Sequence, residues 1–364
     1  MRNYSFEQIY LILPYRHIID NLLGLIFSIL TKQNIFHLKL KNGINVKFKA
    51  NKFQVMLSLI GIITFSISCS EIKKNIIEFS FDGRNTFQIN LEKMALEDEN
   101  LIELLFLGIK DGVYFVTNSK EKIPNFNKIF YIKKINDKKI VEINNGPKFY
   151  LNSIYVGSIW ETFIKKIHDV DNSKKMKDKI VFDVGANVGD TALFYANEGA
   201  KVYSFEPIKA HYDAMIQNIS LNPDLSKNII AVNAAMGKDE TLKFFQDSEA
   251  DISYSASFVY NHHGKNAKIV EVQGYSLDTI ISKYEISKVD LLKMDCKGCE
   301  FFLSNNNLDK VSALKIEYGA YDNSHKLEDL IETLKSNGFN YAIYQHNQNY
   351  VKSMRNHATI LAER

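Results

Sequence analysis

The sequence predicts an α/β protein in two parts: a small β-rich or α+β accessory module, then a doubly wound, mostly parallel seven-stranded sheet. Three observations predict it. After Lys179 the chain alternates apolar runs of strand length with amphipathic runs of helix length, the rhythm of a parallel sheet covered by helices. Before it, short alternating runs flank Asn42-Gly43 and Asp82-Gly83, dipeptides suited to hairpin turns. At 364 residues the chain is also long for one ordinary domain.

Taken in order, residues 1–34 read as a helical segment. Its apolar run at 21–31, with Ile18 and Ile19, makes a helix apolar nearly all round, the pattern of a packed helix, with peripheral membrane contact as the second reading. The accessory α+β domain spans 35–157. Strands at 37–41 and 44–49 flank the first turn, and strands at 76–81 and 86–91 flank the second. Residues 55–70 form an uncharged run of 16, short of the ~20 strongly apolar residues of a spanning helix. A helix at 92–109 and short strands at 113–116, 128–134 and within 140–155 complete the domain. Residues 158–179 read as a linker helix, 158–168, and a polar linker.

The last domain, 180–364, opens with a strand at 179–184. Further strands follow at 201–205, 228–235, 289–294, 313–317, 338–345 and 359–363, with helices at 188–198, 209–221, 276–284, 300–305 and 324–337. Residues 238–274 break this rhythm into short alternating pieces and read as an irregular insertion.

Hydrophobic residues make up 46% and charged residues 24%, which excludes a disordered, collagen-like or disulfide-scaffold chain. Three cysteines, Cys69, Cys296 and Cys299, are too few for a disulfide framework. With no signal-peptide pattern ahead of them, a cytoplasmic protein is expected. Residues 1–178 hold 26 Lys+Arg against 18 Asp+Glu, and residues 179–364 hold 19 against 24. A basic first half suits either a plain solvated surface or an anionic partner. Only five basic residues are Arg, so the bidentate forks that read bases are scarce and nucleic acid is not an expected partner.

The segment Val181-Phe-Asp-Val-Gly-Ala-Asn-Val-Gly-Asp190 places Gly185 and Gly189 between a buried strand and a helix, where backbone can approach a ligand and free amides favour an anionic group. Asp183, at the strand end, can accept from an ammonium. Glu206 ends the next strand, where a carboxylate can hold both hydroxyls of a ribose. A dinucleotide fingerprint fits poorly, because Asn187 replaces its second glycine and Asp190 its third. A ribose, an adenine and an amino-acid end describe S-adenosylmethionine.

The stretch 183–207 (DVGANVGDTALFYANEGAKVYSFEP), NAAMG at 233–237, YSLDTI at 275–280 and LLKMDCKGCE at 291–300 together resemble the FkbM family of S-adenosylmethionine-dependent methyltransferases. The resemblance covers residues 180 to about 345; before it there is only a likeness to the leader regions of archaeal members. It implies a class I, Rossmann-like methyltransferase fold and O-methylation of a hydroxyl on a sugar, surface glycan, glycolipid or polyketide; a sugar, glycan or lipid-linked glycan is the expected substrate, and a non-catalytic nucleotide- or glycan-binding protein, or an N- or C-methyltransferase of a small metabolite, is the alternative. It also brings Asn233 and Asp295 into the cofactor-binding set with Asp183, Gly185, Asn187, Gly189 and Glu206. Where the family shows D-x-E-G-x-E, this chain has Asp295-Cys-Lys297-Gly-Cys-Glu300, an ammonium in place of a carboxylate.

Asp295 ends the fourth strand of the sheet, beside the expected ligand crevice. It reads as a general base for the substrate hydroxyl, or as a cap for the helix near Gly298. Lys297 reads as an exposed helix-face lysine, with a base as the alternative. Glu317, ending the fifth strand, reads equally as a substrate acceptor or a turn cap. Cys296 and Cys299 read as small packing residues, and no metal is expected. His262 and His263 read as solvated loop histidines in the insertion, with a place in a substrate lid as the alternative, and His325, near a helix start, can reach the cleft.

Overall fold

The computed structural model describes residues 4–117, 126–168, 176–247, 257, 267–303, 308–319, 326–345 and 357–364. Two units emerge: residues 1–145 with 149–152, and residues 146–148 with 153–364. His262, His263, His325 and most of the polar linker lie outside the described residues.

The first unit opens with α1 (Tyr4–Ile12) and α2 (Leu22–Leu30). Rather than packing all round, α2 buries Leu25, Ser28 and Ile29 and leaves Leu23 82% and Phe27 61% exposed. Next, β1 (Ile35–Lys39) pairs antiparallel with β2 (Asn45–Lys49), from Ile35 opposite Lys49 to Lys39 opposite Asn45. Their period of two buries Phe36, Leu38, Val46 and Phe48 and turns the lysines out. Only Gly43 of the Asn-Gly pair takes a positive φ, 92°, and its amide donates to the Leu40 carbonyl at 3.0 Å. The loop is therefore a three-residue turn ending in a left-handed glycine rather than the two-residue form.

The uncharged run becomes α3 (Phe53–Phe65), a core helix with nine buried residues. It packs on α4 (Leu96–Lys110), where a Cβ on Gly61 would come within 2.2 Å of the Phe106 ring. Among the described residues no helix is long and apolar enough to cross a membrane. Strands β3 (Ser68–Lys73), β4 (Ile76–Ser80) and β5 (Thr86–Asn90) form an antiparallel meander. Asp82 fixes its β4–β5 turn by accepting from the Arg84 and Asn85 amides, both at 2.8 Å. A four-stranded sheet follows in the order β6 (Tyr114–Val116), β7 (Ile129–Ile135), β8 (Lys138–Ile143) and β9 (Lys148–Tyr150).

The second unit begins with α5 (Val156–Ile159), continued by a π-helical turn, Trp160–Lys165, that stops at left-handed Lys166. Its seven-stranded sheet is built from β10 (Ile180–Val184), β11 (Lys201–Phe205), β12 (Ile229–Val232), β16 (Leu291–Met294), β17 (Ala313–Gly319), β18 (Asn340–Gln345) and β19 (His357–Glu363), in the order β12-β11-β10-β16-β17-β19-β18. The first five in that order run parallel, and β19 is antiparallel to both its neighbours. Helices α6 (Asp190–Asn197), α7 (Lys209–Ser220), α8 (Pro223–Ser226), α9 (Leu277–Lys283) and α10 (Leu327–Ser336) alternate with the strands. Phe182, Phe205, Leu292, Ile316 and Ile360 lie in the buried core. The order reverses at β10, so a crevice forms beyond the carboxyl ends of β10 and β16.

The stretch expected to be irregular instead contributes a second sheet. Strands β14 (Thr241–Asp247) and β15 (Ala267–Tyr275) pair antiparallel from Thr241 opposite Gln273 to Asp247 opposite Ala267, and β13 (Ala235–Met236) adds to β15 in parallel. Nineteen residues separate the two long strands, so no tight-turn signal marks the hairpin.

Candidate functional site

Three left-handed residues in five, Gly185 (φ 77°), Asn187 (φ 47°) and Gly189 (φ 83°), coil the chain between β10 and α6. The first glycine is obligatory, because a Cβ there would sit 2.0 Å from the Asp295 carbonyl oxygen. The Asp295 amide in turn donates to the Val184 carbonyl at 2.9 Å. Buried Glu206 clamps the same turn: Oε2 accepts from the Asn187 amide at 2.9 Å and Oε1 from the Ile208 amide at 2.8 Å. Asn233 Nδ2 donates to the Glu206 and Pro207 carbonyls at 2.8 and 3.0 Å. The ends of β10, β11 and β12 thus form one hydrogen-bonded platform.

Asp183 turns out to be occupied from within. The sequence reading puts a ligand's ammonium on this carboxylate; in the structure the ammonium is that of Lys293, at 2.9 Å from Oδ1, and Thr191 Oγ1 donates to Oδ2 at 2.7 Å. Both charged side chains are nearly sealed from solvent. Burial disfavours the charge on Lys293, but Asp183, Asp295 and Asp190 outweigh it and raise its pKa. A lysine inside the apolar strand Leu291–Met294 was the signal available in the sequence, since a buried charge demands a partner. At the start of α6, burial pushes Asp190 up to about 6, although it accepts from Thr162 Oγ1 at 2.6 Å.

Strands β16 and β17 carry the same short pattern, Lys-x-acid, in register. Lys293 stands opposite Lys315 and Met294 opposite Ile316, which brings Asp295 and Glu317 side by side on neighbouring strands. Lys297 Nζ lies 3.1 Å from Asp295 Oδ1. This lysine sits in a left-handed turn (φ 50°) and is ion-paired, not displayed on a helix face. Burial opposes the charge on Asp295, yet Lys297 and Lys293 hold its carboxyl well below the usual range. The Asp295 charge, and then burial, push Glu317 up. The two shifts run in opposite directions, so a proton on this pair is favoured on Glu317 over Asp295.

Two residues missed in the sequence join this group from the segment ahead of β10. Glu161, exposed on the π-helical turn, has its carboxyl raised by surrounding protein and by the charges of Asp295 and Asp190. His168 Nδ1 lies 2.6 Å from Lys315 Nζ, which also donates to the Ile167 carbonyl at 2.7 Å. Cys296 and Cys299, expected to be packing residues, are joined in a disulfide. Bridged sulfurs offer no thiolate to a metal ion.

The arrangement fits S-adenosylmethionine. Glu206 Oε2 holds one backbone amide and can accept a further bond from a ribose hydroxyl, while Oε1 holds the Ile208 amide with His211 Nδ1 at 3.3 Å. Gly185 leaves the turn open to close approach, with Asp295 just past the end of β16 and Glu317 near the end of β17.

The family model described as the methyltransferase FkbM domain matches residues 183–341, which supports that family for the second unit. No curated protein matches the chain. Among solved structures, precorrin-6y C5,15-methyltransferase from Geobacter metallireducens is 11% identical at a TM-score of 0.33, over 55% of this chain and 87% of that one. Aeropyrum pernix fibrillarin with natively bound S-adenosyl-L-methionine is 11% identical at 0.34, over 82% and 98%. Magnesium protoporphyrin IX methyltransferase from Synechocystis with bound S-adenosylmethionine is 13% identical at 0.34, over 57% and 81%. Likenesses of this grade assign neither fold nor substrate to this chain.

Proposed function

We propose, taking the FkbM-domain match as premise, that the second unit is an S-adenosylmethionine-dependent O-methyltransferase acting on a hydroxyl of a sugar, glycan or lipid-linked glycan. The observation that carries the reading is the order along the carboxyl edge of the sheet: Asn233, Glu206, the Gly185–Gly189 turn and Asp295 follow the ends of β12, β11, β10 and β16, and Glu317 lies near the end of β17. When bound, S-adenosylmethionine supplies a sulfonium methyl for in-line transfer. Glu206 and the turn amides orient the ribose and carboxylate ends. Asp295, held ionised by Lys297 and facing the crevice, takes the hydroxyl proton as the new bond forms, and Glu317 on the neighbouring strand accepts from the substrate. Lys297 restrains the basicity of Asp295 and offers a donor to a substrate oxygen.

The basic first half suits an anionic, lipid-linked acceptor. Exposed Leu23 and Phe27 on α2 suit peripheral contact with the lipid phase. Incubation with methyl-labelled S-adenosylmethionine and extracts of the source cells should place label in the glycan or glycolipid fraction. Label in protein or in amines would replace the O-methyl assignment. By calorimetry, Glu206→Gln should weaken S-adenosylmethionine by about 1–3 kcal/mol, the cost of a hydrogen bond to a charged group; unchanged affinity would remove Glu206 from the site.

A further inference from the structure

The segment Asp295-Cys-Lys-Gly-Cys-Glu300 carries chemistry that methyl transfer does not use. Left-handed Lys297 (φ 50°) and Gly298 (φ 136°) fold the chain back so that the Cys296 and Cys299 Cα atoms stand 5.5 Å apart and the sulfurs are bonded. Cys299 is 1% exposed, at the start of a short 3-10 turn. Cys296 is half-buried, so its sulfur is the one that an outside thiolate reaches.

Glu300, completely buried, brings a carboxyl oxygen within 4.8 Å of both sulfurs. Its Oε2 accepts from the Gly298 amide at 2.8 Å and lies 3.6 Å from Cys296 Sγ. The other oxygen, Oε1, has no hydrogen-bond partner among the described residues. A sealed carboxyl with an idle oxygen beside two sulfurs suits a group that gives and takes a proton.

We propose that Cys296 and Cys299 are a thiol–disulfide exchange couple, with Glu300 carrying the proton, and that the couple closes or releases the turn holding Lys297 against Asp295. In reduction, the thiolate of a small thiol attacks Cys296 Sγ. The S–S bond breaks, its electron pair stays on Cys299 Sγ, and that sulfur takes the proton of Glu300. A second small thiol attacks the outer sulfur of the mixed disulfide and frees Cys296 as a thiol. Two small thiols become one disulfide, the protein bridge becomes two thiols, and Glu300 regains its proton from solvent. Oxidation by a small disulfide runs the same steps backwards.

Burial chiefly raises the Glu300 carboxyl to about 7, with the Asp295 charge adding and Lys297 and two backbone amides opposing. It therefore exchanges a proton near neutral pH. Lys326, which caps α10, and Asp329 within it line with Glu300 a cavity of about 160 Å³. Lys297 lies between the two cysteines, so the closed ring fixes the backbone from which it reaches Asp295. The consequence for methyl transfer rests on the proposed function; the couple does not.

The test equilibrates the full-length protein in glutathione or dithiothreitol buffers, quenches in acid, unfolds and alkylates, then counts labels by mass. Oxidised protein should show one thiol, Cys69, and reduced protein three. Cys299→Ser should trap glutathione on Cys296, and Cys296→Ser should trap far less on Cys299. The reduction rate should change with pH near neutrality beyond the titration of the reagent, and Glu300→Gln should lose that break with a rate on the order of 10²-fold lower. Three thiols in every buffer, or one in excess dithiothreitol, would overturn the couple. Should Glu300→Gln fail to fold, the pH profile of the unaltered protein decides the role of Glu300, and a profile set by the reagent alone overturns it. The pH profile of methyl transfer should differ between the two forms, because Lys297 restrains the basicity of Asp295. Equal profiles overturn the link to Lys297, whereas no methyl transfer in either form sinks the proposed function and leaves the thiol counts to judge the couple.

Discussion

Lys293 and Lys315 stand opposite each other on neighbouring parallel strands, both buried, and their surroundings drive them in opposite directions. Lys293 faces the Asp183 carboxylate at 2.9 Å and holds its proton more tightly than a free lysine. Lys315 faces a carbonyl and His168, and burial, then repulsion from Lys293, lowers it to about 7. The same burial opposes both charges; the carboxylate decides which one is kept.

That difference predicts a pH-dependent stability. Lys315 releases its proton near 7 in the folded protein and near 10.5 when unfolded. Between those values the unfolded chain binds the extra proton, so this residue makes stability rise with pH, by at most about 1.4 kcal/mol per pH unit. Denaturant unfolding of Lys315→Met at pH 7 and pH 10 should show the variant gaining on the parent at the lower pH. A constant difference would show that Lys315 stays charged.

The buried Asp183–Lys293 pair should be costly to break from either side. Asp183→Ala or Lys293→Met strands the other charge and should destabilise the second unit by about 3–5 kcal/mol. The double variant Asp183→Ala/Lys293→Met should recover much of that loss. Strict additivity of the two single effects would deny the pairing.

Asp295 and Glu317 should behave as one titrating unit in methyl transfer. Asp295→Asn should lower turnover by about 10²- to 10⁴-fold while S-adenosylmethionine affinity stays within a few fold. Glu317→Gln should cost less and alter the pH profile, because an amide keeps the shape beside Asp295 but no longer titrates against its charge. If Lys297→Ala lowers turnover more than Asp295→Asn, the lysine and not the aspartate handles the proton.

The segment ahead of β10 should be needed for the second unit to fold. Ser153 O accepts from Asn218 Nδ2 at 2.8 Å, Thr162 holds Asp190, and Lys315 bonds the Ile167 carbonyl. A fragment from residue 153 onward should unfold cooperatively, and one starting at residue 180, which leaves these groups without partners, should melt lower or aggregate. Equal melting temperatures would make the segment dispensable.

What the sequence by itself determined is local. Glycines and Asn187 between an apolar strand and a helix dictate the left-handed turn, because few other residues tolerate positive φ there. Strand β11 falls at 201–205 as its apolar run indicates, and Glu206, Asp295 and Glu317 each end such a run. Only the tertiary structure decided the partners. Asp183 meets Lys293 across a strand boundary, β14 finds β15 across a long gap, β19 inserts between β17 and β18, and residues 153–168 join the second unit. Each of these is a choice among distant segments, settled by which pairing satisfies buried charges and closes the sheet. Propensity and periodicity are fixed by near neighbours along the chain and carry no record of that choice.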